Sequence, residues 1–366
     1  MGIKNYLYDL ATEKKDGVVA ACLKGILFLL SLIYGLALRC LVFFYGLRPY
    51  KADCKVISVG NITVGGTGKT SLVEYISRYL SGQGRKVVVI SRGYKKKIQN
   101  SLPGRQAGKS KIQNYENMGD EPYMLQENLK GIPVIVDKDR VKAIEQAIKE
   151  HAPDAVVLDD GLQQWKIKKD LEIVAIDAVS PFGNQKILPR GILRESLSAL
   201  RRADIFVLTK TNLNPDIQDT EELLSQINPK AEISLAIHKP ASLYKFGSPG
   251  VIYEVEKLLN IPVALFCGIA DPDSFRDLIS GLGLSVGQSL KFDDHYHYRQ
   301  RDLEDMAREA KRENIRTLIT TEKDAARLLG LNVSGLGVDL LILRIELKIS
   351  QNEEGFHNRL RRVFAL

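Results

Sequence analysis

Residues 58–70 read SVGNITVGGTGKT and lie between an apolar run and a helical pattern. A strand, a glycine-rich turn, Gly-Lys-Thr and a helix are the setting in which a phosphate-binding P-loop forms. The glycines let backbone N–H groups crowd around phosphate oxygens, and the helix N-terminus adds partial positive charge. In such a loop Lys69 reaches the β- and γ-phosphates, and the Thr70 hydroxyl binds Mg²⁺. The stretch therefore predicts a nucleotide site.

One position of this loop departs from the full P-loop pattern. The pattern has glycine six residues before the lysine, and Thr63 stands there. An ordinary glycine-rich turn before a helix would look similar, but the sequence Gly-Gly-x-Gly-Lys-Thr favours the nucleotide site. The predicted nucleotide-binding residues of the loop are Thr63, Val64, Gly65, Gly66, Thr67, Gly68, Lys69 and Thr70.

Length and composition limit the class of protein. A chain of 366 residues is long for one core, so two domains and an appendage are expected. A hydrophobic content of 45% excludes disorder of the whole chain. The net charge of +8 favours an anionic partner: nucleic acid, an acidic membrane surface or a phosphorylated substrate. The four cysteines lack paired spacing and predict neither a disulfide framework nor a zinc site.

The N-terminal part of the chain is apolar, with no charged residue from 25 to 38. No small-x-small cleavage site follows, which argues against a signal peptide. The uncharged part is shorter than the about 20 residues of a membrane span. On a helix, Lys24, Ser31, Gly35 and Arg39 fall on one narrow strip, and apolar residues cover the rest. This pattern favours a helix in the membrane headgroup region, with a spanning anchor and a buried helix as alternatives.

Further strands with βα spacing follow the P-loop helix. Residues 86–91 read as a buried parallel strand, and residues 98–114 predict a mobile loop. Residues 155–160 read AVVLDD, an apolar strand that ends in two acids. Such a strand delivers a carboxylate to the shell of Mg²⁺, which makes Asp159 and Asp160 candidate ligands.

Two other segments carry candidate groups with competing interpretations. Asp120 precedes a helical run, and an N-cap role competes with a chemical one. Arg194 suits the clamping of phosphate oxygens and Glu195 suits a metal shell, but an ordinary Arg–Glu pair at a helix start looks the same. The segment TKTN resembles a guanine-reading motif but ends in Asn212 instead of Asp, which favours ATP over GTP.

A second βα pattern lies between strand-like runs at 233–237 and 340–349. Paired strands that leave and re-enter a domain favour a hinged lobe that closes over a shared cleft. Within this lobe, His295 and His297 form a His-x-His pair. Metal binding, a structural role in a loop and catalysis are the three interpretations of that pair.

The predicted fold class is α/β: a P-loop NTPase-type, mostly parallel sheet flanked by helices, with a smaller α/β second domain. A two-stranded linker joins this second domain, and an apolar helix precedes both. The predicted boundaries are an N-terminal membrane-associated helical segment at 1–50, a P-loop domain at 51–232, the smaller lobe at 233–349, and a C-terminal helix at 350–366 that packs back on the first domain.

Seven motifs in chain order resemble the tetraacyldisaccharide 4'-kinase (lipid A 4'-kinase) family of Gram-negative bacteria. They are TVGGTGKT at 63–70, SRGY at 91–94, GDEP at 119–122, DDGLQ at 159–163, LRE at 193–195, DH at 294–295 and TEKD at 321–324. Thr63 matches the family's own departure from the P-loop pattern. Three positions differ from the family: Gln164 stands where it usually has His, and Ile192 and Ser196 stand where it usually has Pro.

The resemblance implies transfer of the γ-phosphate of ATP to the 4'-hydroxyl of tetraacyldisaccharide 1-phosphate, giving lipid IVA in lipid A biosynthesis. It implies Asp120 as the base, His295 as its hydrogen-bonding partner and Lys69 as a third catalytic residue. Arg194 would support the phosphates. The implied Mg²⁺ ligands are Thr70, Asp159, Asp160 and Glu195.

The resemblance also implies the lipid substrate and a membrane surface as partners, without nucleic acid, at the cytoplasmic face of the bacterial inner membrane. Two other functions compete with the lipid kinase. One is a membrane-associated P-loop ATPase that acts as a protein-positioning switch, and the other is a nucleotide-binding regulatory module without turnover. Asp120 and His295 discriminate between them, because a switch needs an oriented water but no base from a second lobe.

Overall fold

The computed structural model describes Tyr6 and residues 9–93, 118–214 and 216–365. The loop predicted at 98–114 and the lysines at 95–97 lie outside the described residues. The helices are α1 (Val18–Leu47), α2 (Lys69–Gly82), α3 (Asp120–Asn128), α4 (Arg140–His151), α5 (Gln218–Ile227), α6 (Pro272–Gly281), α7 (Gln300–Arg312), α8 (Glu322–Arg327) and α9 (Glu353–Arg362). The strands are β1 (Lys55–Gly60), β2 (Val87–Ser91), β3 (Val134–Val136), β4 (Ala155–Asp159), β5 (Leu171–Asp177), β6 (Ile205–Thr209), β7 (Glu232–Lys245), β8 (Ser248–Tyr253), β9 (Pro262–Cys267), β10 (Ser285–Lys291), β11 (Thr317–Thr321) and β12 (Asp339–Gln351).

The chain divides into two compact units. Unit 1 comprises Met1–Ser91, Asp137–Ile237 and Lys348–Leu366, and unit 2 comprises Arg92–Val136 and His238–Leu347. The strands β7 and β12 each contribute residues to both units. The chain therefore passes between the units along these two strands.

Unit 1 contains a parallel sheet in the order β7-β6-β5-β1-β4-β2. The strands β2, β4 and β6 are buried along their whole length. Parallel strands covered on both faces read as continuous apolar runs, which is why the sequence reveals them. Phe206 and Leu208 of β6 belong to the core that covers one part of this sheet. The predicted α/β class with a mostly parallel sheet is confirmed.

Unit 2 has its own parallel strands in the order β10-β9-β11-β12, and β8 pairs antiparallel with the end of β7. The helix α3 also belongs to unit 2, although the sequence analysis placed residues 92–136 in the first domain. That boundary is wrong because α3 is bound to α8. The Lys323 ammonium donates to the Glu121 carboxylate at 2.8 Å, and the Arg327 guanidinium donates to the Asp120 carboxylate at 2.7 Å.

The helix α1 is 30 residues long and, by length and composition, could cross a membrane. Of its side chains only Ala20 and Ser31 are buried. The buried-helix alternative is therefore wrong. Large apolar side chains are exposed along the rest of the helix: Val18, Val19, Ile26, Phe28, Leu29, Leu30, Leu32, Ile33, Leu36, Leu41, Phe43, Phe44 and Leu47.

The narrow strip of α1 that the sequence singles out contacts unit 1 itself. The Ser31 hydroxyl lies 2.9 Å from the Ile187 carbonyl oxygen and accepts a hydrogen bond from the Arg190 N–H at 3.0 Å. A Cβ on Gly35 would lie 2.6 Å from the Ile187 side chain, so glycine permits the close approach. Where it is buried, the strip is covered by protein, and the exposed surface of the helix is apolar.

Within unit 1 the C-terminal helix α9 packs against α2. The Tyr75 hydroxyl donates to the Glu353 carboxylate at 2.9 Å. The rings of Tyr79 and His357 stack with their centroids 4.0 Å apart. These contacts attach the end of the chain to the helix that follows the P-loop.

Candidate active site

The P-loop connects β1 to α2, as the motif predicts. Gly65 and Gly68 have φ values of 126° and 74°, which are conformations that favour glycine. Gly68 is the N-cap of α2, and Lys69 is its first residue. The Thr67 hydroxyl is buried and has no hydrogen-bond partner among the described protein atoms. The loop thus presents a helix N-terminus and a polar side chain available to a phosphate group.

Three predicted residues of unit 1 meet beside this loop. The Lys69 ammonium lies 3.7 Å from an Asp160 carboxylate oxygen. The Arg194 Nη1 donates to both oxygens of the same carboxylate, at 2.8 and 2.9 Å. Burial opposes the charge of Asp160, but the neighbouring Lys69 and Arg194 outweigh it and lower the pKa of the carboxyl. The group is therefore an anion held between two cations.

Asp159 ends β4 and is buried. It accepts a hydrogen bond from the Ser91 hydroxyl at 2.8 Å. Ser91 ends β2, which pairs in parallel with β4, so both strands deliver these side chains to the same edge of the sheet. The sequence analysis placed Ser91 in a family motif but did not assign it a role.

The remaining predicted metal ligands show different surroundings. Thr70 is buried in the first turn of α2. The carboxylate of Glu195 accepts from Arg202 Nη2 at 2.9 Å through each oxygen and from Gln163 Nε2 at 3.2 Å. In residues 9–93, 118–214 and 216–365, no group of three or more His, Cys, Asp or Glu side chains is placed to hold a metal ion. The ligand set of Thr70, Asp159, Asp160 and Glu195 stays a prediction.

The segment that carries Arg194 also supports the P-loop. The Val64 N–H donates to the Ile192 carbonyl oxygen at 2.8 Å, and the Arg194 N–H donates to the Ile62 carbonyl oxygen at 2.7 Å. The Tyr34 hydroxyl of α1 donates to the Arg194 carbonyl oxygen at 3.2 Å. The apolar helix is therefore hydrogen-bonded to the backbone of a predicted phosphate-binding residue.

The segment TKTN supports the P-loop from its other side. The Thr209 hydroxyl lies 3.1 Å from the Thr67 carbonyl oxygen. The next residue, Lys210, forms an ion pair with Asp177 at 2.7 Å. Sequence reasoning considered this segment for base recognition, and the structure shows that it contacts the backbone of the phosphate loop.

The predicted pair of Asp120 and His295 forms within unit 2. The His295 Nδ1 lies 3.0 Å from an Asp120 carboxylate oxygen. The N-cap of α3 is Gly119, and Asp120 is the first residue of the helix, so the interpretation of Asp120 as an N-cap is wrong. The hydrogen bond to Asp120 raises the pKa of His295 against the opposing effect of burial. His297 is exposed and stands apart from this pair.

Arg327 completes this cluster and was missed by the sequence analysis. Its Nε donates to Asp120 at 2.7 Å, and its side chain is only 1% exposed. The available signal was the motif TEKD at 321–324, which opens α8 and places an arginine three residues after Asp324. Nothing in that motif identifies Asp120 as the partner, because the two residues are distant in sequence.

Comparison with known proteins gives the same family throughout. The model of the family LpxK, tetraacyldisaccharide-1-P 4'-kinase, matches residues 23–365. The tetraacyldisaccharide 4'-kinase of Halothermothrix orenii is 34% identical over 367 residues, covering 95% of this chain and 94% of the relative. That of Desulfatibacillum aliphaticivorans is 35% identical over 354 residues, covering 94% and 93%.

A solved structure agrees with these relatives. The crystal structure of LpxK from Aquifex aeolicus in complex with ATP superposes with a TM-score of 0.71 at 27% identity, covering 93% of this chain and 99% of that one. These similarities confirm the fold class, the family and the kinase function predicted from the motifs. The chain belongs to the LpxK family of tetraacyldisaccharide-1-phosphate 4'-kinases.

Proposed function

We propose that this chain transfers the γ-phosphoryl group of ATP to the 4'-hydroxyl of tetraacyldisaccharide 1-phosphate, giving lipid IVA in lipid A biosynthesis. The observation that carries the proposal is the pair of Asp120 and His295 at 3.0 Å, in a chain that also has a P-loop. A switch ATPase needs the loop but has no use for a carboxylate and histidine that receive a proton from an acceptor. The membership in the kinase family supports the same choice.

The residues of unit 1 suit the phosphate donor. The positive φ values of Gly65 and Gly68 and the unpartnered hydroxyl of Thr67 fit a loop that wraps phosphate oxygens. We assign Lys69 and Arg194 to the β- and γ-phosphates, where they oppose the charge that spreads over the transferred group. The Asp160 carboxylate that they contact keeps both cations near the loop.

The same region offers the oxygen ligands that Mg²⁺ prefers. Thr70, Asp159 and Asp160 would hold the ion, and Glu195 is a further candidate that Arg202 engages in this structure. A bound Mg²⁺ supplies neutralisation of the phosphate charge. The Ser91 hydroxyl orients Asp159, and the Arg194 guanidinium orients Asp160.

The residues of unit 2 suit the acceptor. As the 4'-oxygen bonds to the γ-phosphorus, the bond from that phosphorus to the β,γ-bridging oxygen breaks and ADP leaves. The hydroxyl proton goes to the Asp120 carboxylate, while His295 fixes the orientation of that carboxylate by its hydrogen bond. Phosphoryl transfer asks little covalent chemistry of the protein, so an oriented base and charge stabilisation are the main requirements.

We further propose that α1 anchors the chain to the cytoplasmic face of the bacterial inner membrane. Its exposed surface is apolar, and burying apolar side chains in lipid is favourable. The substrate carries four acyl chains and a phosphate, which makes a membrane surface and this lipid, and not nucleic acid, the anionic partners of a chain with a charge of +8.

The experiment supplies radiolabelled ATP and tetraacyldisaccharide 1-phosphate in mixed detergent micelles to the full chain. Label in the lipid, dependent on Mg²⁺, is the expected result. Hydrolysis of ATP without label in the lipid would favour the protein-positioning switch. Binding of ATP without turnover in any mixture would favour the regulatory module.

A further inference from the structure

We propose that Arg327 is a positioning residue of the kinase reaction, which holds the Asp120 carboxylate charged and oriented against His295. This rests on the proposed function, in which Asp120 accepts the proton of the lipid hydroxyl. Neither the P-loop nor the family motifs assign Arg327 such a role. The inference comes from the contacts of its guanidinium in unit 2.

The guanidinium of Arg327 is fixed from behind. Its Nη1 donates to the Asp324 carboxylate at 2.9 Å and to the Gly268 carbonyl oxygen at 2.6 Å. Asp324 is 0% exposed and also accepts from the Tyr298 hydroxyl at 3.0 Å and from the Thr321 hydroxyl at 2.7 Å. A buried arginine is costly unless its charge is paired and hydrogen-bonded, and this frame supplies both.

The opposite side of the guanidinium contacts both members of the Asp–His pair. The Nε donates to Asp120 Oδ2 at 2.7 Å, and this is the same oxygen that lies 3.0 Å from the His295 Nδ1. The Nη2 lies 3.2 Å from that Nδ1. The Asp120 side chain is 15% exposed and the His295 side chain 46% exposed. Arg327 thus lies on the protein side of the pair, where it can hold Asp120 without itself meeting solvent.

The charges around the pair fix the sign of the effect. Asp120 faces Arg327 and His295, and its neighbour Glu121 is paired with Lys323 at 2.8 Å. A cation beside a carboxylate favours its charged form. The hydrogen bond to Asp120 raises the pKa of His295, and Arg327 acts in the opposite direction.

Without Arg327 the carboxylate would take up a proton at higher pH, and His295 would keep its proton to higher pH. The carboxylate of Asp294, 3.9 Å from the His295 Nε2, would remain and act in the same direction on His295. Both changes move the acidic limb of the rate profile toward higher pH. A purely structural role of Arg327 would instead lower the rate by the same factor at every pH.

The experiment compares Arg327→Gln and Arg327→Lys with the wild-type chain in the lipid-labelling assay across a range of pH. The matched control is Arg301→Gln, whose side chain is 87% exposed and pairs with Asp305 on α7. Thermal unfolding and ATP binding are measured first. We expect Arg327→Gln to lower kcat by about 10²-fold, since misplacing a catalytic group by about 1 Å has that effect. Arg327→Lys should lie between, because an ammonium lacks the planar fork, and Arg301→Gln should match the wild type.

A double variant tests whether Arg327 acts through Asp120. In an Asp120→Asn background, Arg327→Gln should lower the residual rate by less than about 3-fold, because residues that act as a unit are non-additive. An unmoved acidic limb, or the full further loss in that background, would overturn the proposal. Should Arg327→Gln not fold, the acidic limb of Arg327→Lys decides in the same way. Absence of label in the lipid with the wild-type chain would instead reject the proposed function.

Discussion

The His295 Nδ1 and an Asp120 carboxylate oxygen lie 3.0 Å apart, although 175 residues separate them in sequence. Asp120 begins α3, and His295 follows β10 in unit 2. An exposed histidine and a carboxylate are seldom brought together by packing alone, since exposed ion pairs contribute little to stability. The pairing is therefore better explained by chemistry than by folding.

Asp120→Asn should retain ATP binding and lose phosphoryl transfer by about 10²- to 10⁴-fold, because the amide has the same shape but accepts no proton. Label transfer to the lipid and calorimetric titration with ATP measure the two properties. Asp273→Asn on α6 is the matched control, since its side chain is 70% exposed. A decrease of less than about tenfold in Asp120→Asn would remove the base from the mechanism.

Lys69→Ala should abolish detectable transfer, because the substitution removes a cation from the phosphates and from the Asp160 carboxylate, 3.7 Å away. Loss of one charge-stabilising donor typically lowers kcat by about 10²- to 10³-fold. Lys257→Ala serves as the control, since that side chain is 63% exposed and pairs with Glu254. Transfer near the wild-type rate in Lys69→Ala would exclude the P-loop from the reaction.

The stability of the chain should depend on pH through His295. Its pKa is raised from the ordinary value of 6.5, first by the hydrogen bond to Asp120. A raised pKa in the folded state stabilises the fold fully below the unfolded value, and the effect is lost as pH rises through the folded value. The difference in Tm between the wild type and His295→Gln should therefore be larger at pH 5.5 than at pH 9, as measured by calorimetry. His297→Gln is the control, and a difference that grows with pH would contradict the assigned pair.

Replacing Leu29, Ile33 and Leu36 together by Gln should weaken binding of the chain to acidic phospholipid vesicles by at least about tenfold, since each loses apolar area that lipid would bury. All three side chains are exposed on α1. ATP binding should not change. Ser31→Ala is the control on the same helix, because its side chain is buried against the carbonyl of Ile187. Unchanged vesicle binding in the triple variant would mean that α1 has another partner.

The features that sequence predicted best are those in which neighbours along the chain do the work. The P-loop is one such feature, because a strand, glycines and a helix start suffice to form it. The convergence of Lys69, Asp160 and Arg194 was also accessible, since each follows a strand of one parallel sheet or belongs to a family motif. The carboxyl ends of such strands meet at one edge, so the residues after them lie close together.

The features that were missed depend on partners far away in sequence. Arg202 holds Glu195 and Arg327 holds Asp120, yet each arginine looks like an ordinary charge on its own helix. The same reason explains the wrong domain boundary, because helix α3 belongs to unit 2 through ion pairs with α8. The strip of α1 was correctly located, but periodicity cannot tell whether protein or water covers a polar strip.

The most direct test of the central claim determines where the label is attached. The wild-type chain is incubated with radiolabelled ATP and either tetraacyldisaccharide 1-phosphate or an analogue with its 4'-hydroxyl blocked, and the product is analysed by mass spectrometry. Phosphorylation at the 4'-oxygen of the natural lipid, no labelling of the analogue and loss of labelling in Asp120→Asn are the expected results. Equal labelling of both lipids, or turnover of ATP that leaves both unlabelled, would contradict the account.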